Sequence, residues 1–228
     1  GKFFINSYEK KKIIYVPMGA DIIHSGHLNI INKAKKYGEI VIGLFTDSAI
    51  AEYKTLPLIN YSQRLDIMKN IKGISKIMKQ DTWDYTNNLN KLKPNYVIHG
   101  DDWKIGIQKK TRLKVIKLLK KWKGQLIEVP YTKKIEIKEN KKNVKSIFHN
   151  PETRVSRLSR LIGSKKIVRF IESHNPLTGL MIENLKINYK NEYREFDGIW
   201  SSSLTDSASN GKPDNQSLEL STRISNLN

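Results

Sequence analysis

Lys12-Ile13-Ile14-Tyr15-Val16-Pro17-Met18-Gly19-Ala20-Asp21-Ile22-Ile23-His24-Ser25-Gly26-His27 opens on a short apolar run and breaks into a loop at Pro17-Met18-Gly19. A run of that length bounded by turn residues predicts a buried strand over Lys12–Val16. From Gly26 to Tyr37 the apolar residues Leu28, Ile31 and Ala34 recur at helical spacing, and Gly38 supplies the stop. Glu39–Phe45 resumes a strand, so the chain opens as strand, loop, helix, strand.

The alternation continues outward from this unit. Helices are predicted at Tyr61–Asn70 and Tyr85–Leu92, and strands at Ile74–Met78 and Asn95–His99. In the helix predicted at Lys109–Trp122, Val115, Leu118, Leu119 and Trp122 share one face while lysines cover the other, and Gly124 ends it before strand Gln125–Val129. Five strands separated by helices predict an α/β fold with a doubly wound parallel sheet, which takes its ligands at the carboxyl ends of the strands.

Lys, Glu and Asn dominate Thr132–Asn150, which reads as a linker with one weak helix, closed by Asn150-Pro151. A second βα series follows: helix Thr153–Ile162, strand Lys166–Ile171, helix Leu177–Lys186, strand Phe196–Trp200 and helix Asn215–Ile224. The predicted organisation is a first domain over 1–132, a linker over 133–152 and a partial domain over 153–228. Two strands cannot cover their own edges, so this second domain reads as unfinished. Gly1 in place of a methionine fits a partial chain.

The 228 residues are 38% hydrophobic and 28% charged, enough apolar material for a packed core and too much for a disordered chain. No apolar run approaches the roughly 20 residues that span a bilayer, and the N-terminus lacks a signal peptide's order of regions. The reading is a cytoplasmic protein without membrane insertion. Zero cysteines exclude disulfides, thiolate zinc sites and cysteine nucleophiles. A net charge of +19 invites nucleic acid, yet the lysines are spread over nearly every amphipathic segment and no DNA or RNA module accompanies them, so no specific nucleic-acid partner is expected.

The chemistry concentrates at the first loop. His24 and His27, three residues apart at a helix start, face one small volume, and Gly26 lets backbone approach a phosphate. Such groups suit attack by an anionic oxygen on the α-phosphorus of a nucleoside triphosphate, whose transition state gathers charge on phosphoryl oxygens. An acceptor phosphate is already ionised at neutral pH, so no general base is needed.

The stretch Gly19–His27 resembles the GxFDxxHxGH signature of the cytidylyltransferase-like family, with Asp21, His24, Gly26 and His27 matching and Ala20 departing from it. The resemblance covers about the first 130 residues. It implies a Rossmann-like sheet, a lysine loop at Ala51–Pro57 whose Lys54 meets the triphosphate, and Arg64 in the following helix. Gly100-Asp101-Asp102-Trp103 is similar to the GDDW segment of the glycerol-phosphate branch, near nucleotide and acceptor. Trp83 and Trp103 are expected to pack rather than stack on a base. The family's RTEGIST-like stretch is replaced by Val129–Ile137, where of its arginine, glycine and small hydroxyl residues only Thr132 remains and Lys133 and Lys134 add charge. The resemblance implies catalytic roles for His24, His27 and Lys54. It implies nucleotide binding by Gly19, Asp21, Gly26, Gly100, Asp101, Asp102 and Thr132, with CTP and Mg2+ as ligands and a homo-oligomer as the assembly.

Glu172–Leu180 and Phe196–Leu204 resemble the opening strands of phosphoenolpyruvate mutase, whose pattern reads approximately EAHNGLSA, GIWGSGLS and GxRD. The likeness implies the start of a (β/α) barrel, with an incomplete substrate site at Trp200, Ser202, Ser203, Leu204 and Asp214. The family's magnesium aspartates fall on strands beyond Asn228, so no mutase activity is expected of these residues. A mutase that makes phosphonopyruvate, joined to a cytidylyltransferase, suggests a phosphonate as the CMP acceptor. Glycerol 3-phosphate and phosphocholine are the alternatives, and a catalytically degenerate nucleotide-binding scaffold is the competing class.

Overall fold

The computed structural model describes residues 11–53, 55–105, 108–130, 151–189, 192–213 and 221. The chain divides into two compact units, Gly1–Arg160 and Leu161–Asn228.

In the first unit, β1 (Ile13–Met18), β2 (Glu39–Phe45), β3 (Ile74–Gln80), β4 (Tyr96–Gly100) and β5 (Gln125–Val129) form one sheet in the order β3-β2-β1-β4-β5. Every neighbouring pair is parallel. The strands alternate between two cores. Tyr15, Val41, Phe45 and Val97 point into one with Leu89, Val115 and Leu119, while Ile14, Val16, Ile40, Ile42 and Ile98 point into the other with Ile31, Ala34 and Met68. Helices α1 (Ser25–Ala34) and α3 (Tyr61–Lys69) therefore cover one face, and α4 (Thr86–Leu92) and α5 (Lys109–Lys120) the other. A sheet covered on both faces buries consecutive residues, which is why β1 reads as a continuous apolar run.

Two features were not anticipated. A short helix, α2 (Asp47–Tyr53), runs into the start of the stretch read as the lysine loop, its own start fixed by the Thr46 hydroxyl accepting the Ala49 N–H at 3.2 Å. Asp101–Lys104, for which no element is predicted, winds into one 3-10 turn. Lys54 and residues 131–150, with the weak linker helix placed among them, lie outside the described residues.

Helix α6 (Pro151–Ser164) crosses the division between the units. The second unit contains β6 (Phe170–Ser173), α7 (Pro176–Asn184), β7 (Ile187–Tyr189), β8 (Glu192–Arg194), β9 (Gly198–Ser201) and α8 (Ser203–Ser209). Strand β6 pairs parallel with β9, while β7 and β8 form a separate antiparallel pair. The first strand thus lies later than the predicted Lys166–Ile171, and the β7–β8 pair replaces an expected connection. The described residues form no closed barrel. The helix expected at Asn215–Ile224 falls outside them except for Ser221. Asn175 and Thr178 make a reciprocal capping box at the start of α7, with Pro176 in its first turn, and this fixes the turn out of β6.

Candidate active site

The order β3-β2-β1-β4-β5 reverses direction between β1 and β4, so the loops leaving these strands diverge and open a crevice at their carboxyl ends. A cavity of about 280 Å³ lies there. Pro17, Met18 and Gly19 line it from the end of β1, His24, Gly26, His27 and Ile30 from α1, and His99, Gly100 and Asp102 from the end of β4. Phe45, Trp83, Gln108, Val129 and Pro130 complete the wall.

His24 is the N-cap of α1, with extended backbone, and its Nδ1 accepts the Gly26 N–H at 3.1 Å. This bond fixes the tautomer: Nδ1 is the acceptor, so the proton of the neutral ring sits on Nε2. Burial pushes the His24 pKa below the ordinary imidazole value, which favours that neutral form. The His27 ring lies 4.0 Å away, centroid to centroid, tilted by 41°. Both imidazoles therefore face the same crevice at the positive end of the α1 dipole, where anions are favoured.

The turn before them is held from behind. Arg64, fully buried, donates from Nη1 to the carbonyls of Gly19 at 2.5 Å and Phe45 at 2.8 Å, from Nε to Ile59 at 3.0 Å, and from Nη2 to Asp47 at 2.7 Å. Ala20 is buried and sits at φ +52°, in the region that disfavours a side chain, so the turn carries strain that its neighbours enforce. Asp21 is not among the residues that line the cavity. Its two carboxylate oxygens accept the N–H groups of Leu58 at 3.0 Å and Ile59 at 2.9 Å.

A third imidazole, not anticipated as a site residue, stands opposite. His99 stacks on Trp103, with centroids 3.8 Å apart and planes within 5°. Its Nδ1 lies 2.8 Å from the Gly100 carbonyl and 3.9 Å from the Asp102 carboxylate. A carbonyl oxygen can only accept, so the Gly100 contact places the proton on Nδ1, the reverse of His24. Trp103 is buried and donates to Glu128 at 2.8 Å, and Arg112 grips the same carboxylate from Nε and Nη2 at 2.8 and 3.0 Å. The Arg112 bonds, with Trp103, draw the Glu128 pKa down to about 2.

The structure thus gathers His24, His27, Gly19, Gly26, Gly100 and Asp102 on one cavity. Asp101 begins the 3-10 turn without lining it, and Lys54 and Thr132 lie outside the described residues. Trp83 lines the wall while packing on Phe45 and donating to the Ala49 carbonyl. His99 closes the predicted strand Asn95–His99, and its place at that carboxyl end was the signal for it. Asp47 and Gln108 carried no local pattern.

The remaining sequence-predicted residues belong to the second unit. Trp200 is exposed on β9, Ser202 caps α8 by accepting from Thr205, and Ser203 and Leu204 begin that helix rather than a loop. Asp214 lies outside the described residues. The Glu172 carboxylate, at the end of β6, accepts the Thr205 hydroxyl, which holds its pKa below the ordinary value.

The chain is similar to known proteins over part of its length. It is 31% identical over 111 residues to an ethanolamine-phosphate cytidylyltransferase of Dictyostelium discoideum, covering 47% of this chain and 31% of that protein. It is 33% identical over 86 residues to an FAD synthase of Methanothermus fervidus, covering 36% of this chain and 59% of that protein. The chain therefore spans less than two thirds of these relatives. Among solved structures, a lipopolysaccharide core biosynthesis protein from Thermoplasma volcanium is 20% identical, with a TM-score of 0.46 over 55% of this chain and 99% of that one. Residues 20–159 match the profile described as cytidylyltransferase-like, and with more than half of its length matched the chain belongs to that family.

Proposed function

We propose that this chain transfers a cytidylyl group from CTP to a phosphonate or phosphate acceptor and releases pyrophosphate. The observation that carries the reading is the His24–His27 pair against the cavity at the sheet's switch point. An acceptor oxygen attacks the α-phosphorus, one P–O bond forms, the bond to the bridging oxygen breaks, and pyrophosphate departs with the electron pair. His24, neutral and protonated at Nε2, donates to a phosphoryl oxygen as charge builds there. Burial keeps it in that state, and its Nδ1 bond to Gly26 keeps it aimed.

Magnesium enters with the nucleotide. Among the described residues no group of three or more His, Asp or Glu side chains forms a cage, and Asp102 is the carboxylate on the cavity. That donor set fits an ion held mainly by phosphates and water; when bound, the ion neutralises phosphate charge.

The preference for CTP and for a phosphonate rests on the GDDW resemblance and on the mutase-like second unit. In that unit, β6 and β9 pair in parallel across α7, and Ser202 caps a helix start at the end of β9, an arrangement compatible with the opening of a phosphoenolpyruvate mutase barrel.

Pyrophosphate release from CTP and from ATP, measured across aminoethylphosphonate, hydroxyethylphosphonate, glycerol 3-phosphate and phosphocholine, tests the proposal. Turnover with CTP and one acceptor is expected, and His24→Ala or His27→Ala should lower kcat by about 10²–10³. Tight nucleotide binding without pyrophosphate release from any acceptor would favour a scaffold instead.

A further inference from the structure

Arg160, on α6, makes four hydrogen bonds with residues more than a hundred positions earlier. Nε and Nη2 donate to Asp47 Oδ2 at 3.2 and 2.9 Å, Nη2 also to the Pro57 carbonyl at 3.0 Å, and Nη1 to the Leu58 carbonyl at 3.2 Å. Both charged side chains are largely shielded, 23% exposed for Arg160 and 16% for Asp47. On the far side of the same segment, Asp21 accepts the Leu58 and Ile59 N–H groups.

The peptide between Pro57 and Leu58 therefore shows its carbonyl to a guanidinium and its N–H to a carboxylate. The next peptide does the same. Two amide dipoles lie between a fixed positive and a fixed negative charge, and charge-assisted bonds of this kind are roughly twice as strong as neutral ones. Asp47 joins this clamp to Arg64, which holds the Gly19 carbonyl at the rim of the cavity.

Resting on the nucleotidyltransferase reading above, we propose that Arg160 is a positioning residue for nucleotide binding: it fixes Pro57–Ile59, and thereby Asp21 and the turn that presents His24. Asp21 is three residues before His24, and the intervening backbone follows Ala20, whose strained conformation persists only while its surroundings hold it. Without the guanidinium, the Pro57 and Leu58 carbonyls lose the donors it supplies, the segment loosens, and the Asp21 carboxylate loses its two donors. A loosened turn misplaces His24 although Arg160 touches no reacting atom.

The test uses the full chain, with CTP and ATP in the presence of Mg2+ titrated by calorimetry, and amide hydrogen exchange read at Leu58 and Ile59. Arg160→Gln is expected to weaken the better-bound nucleotide about tenfold, the scale on which residues that touch no ligand modulate binding. Exchange at those two amides should accelerate while β1 and β2 keep their protection. Affinity within twofold of wild type overturns the proposal, even with faster exchange, because the residue is then merely structural. A loss of affinity without faster exchange overturns it too, because the effect then bypasses the segment. If Arg160→Gln fails to fold, Arg160→Lys decides: a smaller shift in the same direction supports the role, and unchanged affinity sinks it. A wild-type chain that binds neither nucleotide refutes the nucleotidyltransferase reading and this inference with it, an outcome distinct from the others.

Discussion

His24 shows how one backbone bond can set a side chain's chemistry. Its Nδ1 accepts the Gly26 N–H, and burial lowers its pKa, so the folded chain holds fewer protons there than the unfolded chain. Stability from this group is complete above the ordinary imidazole pKa of about 6.5 and is lost as pH falls through the lower folded value. An NMR titration of the imidazole protons should give His24 a midpoint below about 6.5; a midpoint at or above it would contradict the neutral-donor role. The two histidines were legible in the sequence because a local signature holds them three residues apart. Asp21 shows the limit of such a signature: its spacing marks a family position, whereas its bonds to Leu58 and Ile59 run through space. Arg160 and Asp47 are 113 residues apart and had no local pattern at all.

Elements follow the same division. Parallel strands buried on both faces advertise themselves as apolar runs, and α5 as a stripe of Val115, Leu118 and Leu119. Helix α2 escaped because Asp47–Tyr53 is too short for a period to show and starts on a threonine hydroxyl. The β7–β8 pair escaped because a Lys- and Asn-rich stretch reads as connection. One glycine ties three strands together. The Tyr15 side chain leaves β1 and crosses Gly43 of β2, and its hydroxyl donates to Gln80 at the end of β3 at 2.5 Å. Asn88 of α4 donates to both oxygens, at 3.1 and 2.8 Å. A Cβ on Gly43 would meet the Tyr15 ring and hydroxyl, which the buried network gives no room to shift. Gly43→Ala should therefore cost about 1–3 kcal/mol by overpacking, read as a lower urea midpoint; an unchanged midpoint would show that Tyr15 can move aside.

On the scale of the whole molecule, the excess of lysine is a field rather than a site. A net charge of +19 on 228 residues repels itself, and the compact state bears more of that repulsion than the extended one. Raising salt from about 0.01 M to about 0.1 M shortens the Debye length from about 30 Å to about 10 Å. Melting temperature should rise by roughly 2–4 °C across that range; a flat or falling trend would mean that local ion pairs outweigh the net charge. Strand order carries a different consequence, felt while the chain is being made. Strands β3, β2 and β1 are contiguous in the sheet and complete once Gln80 has left the ribosome, yet the partner for the other side of β1 ends at Gly100. At about 5–20 residues per second, the newborn half-sheet waits roughly 1–4 s with the bare flank of its central strand turned outward.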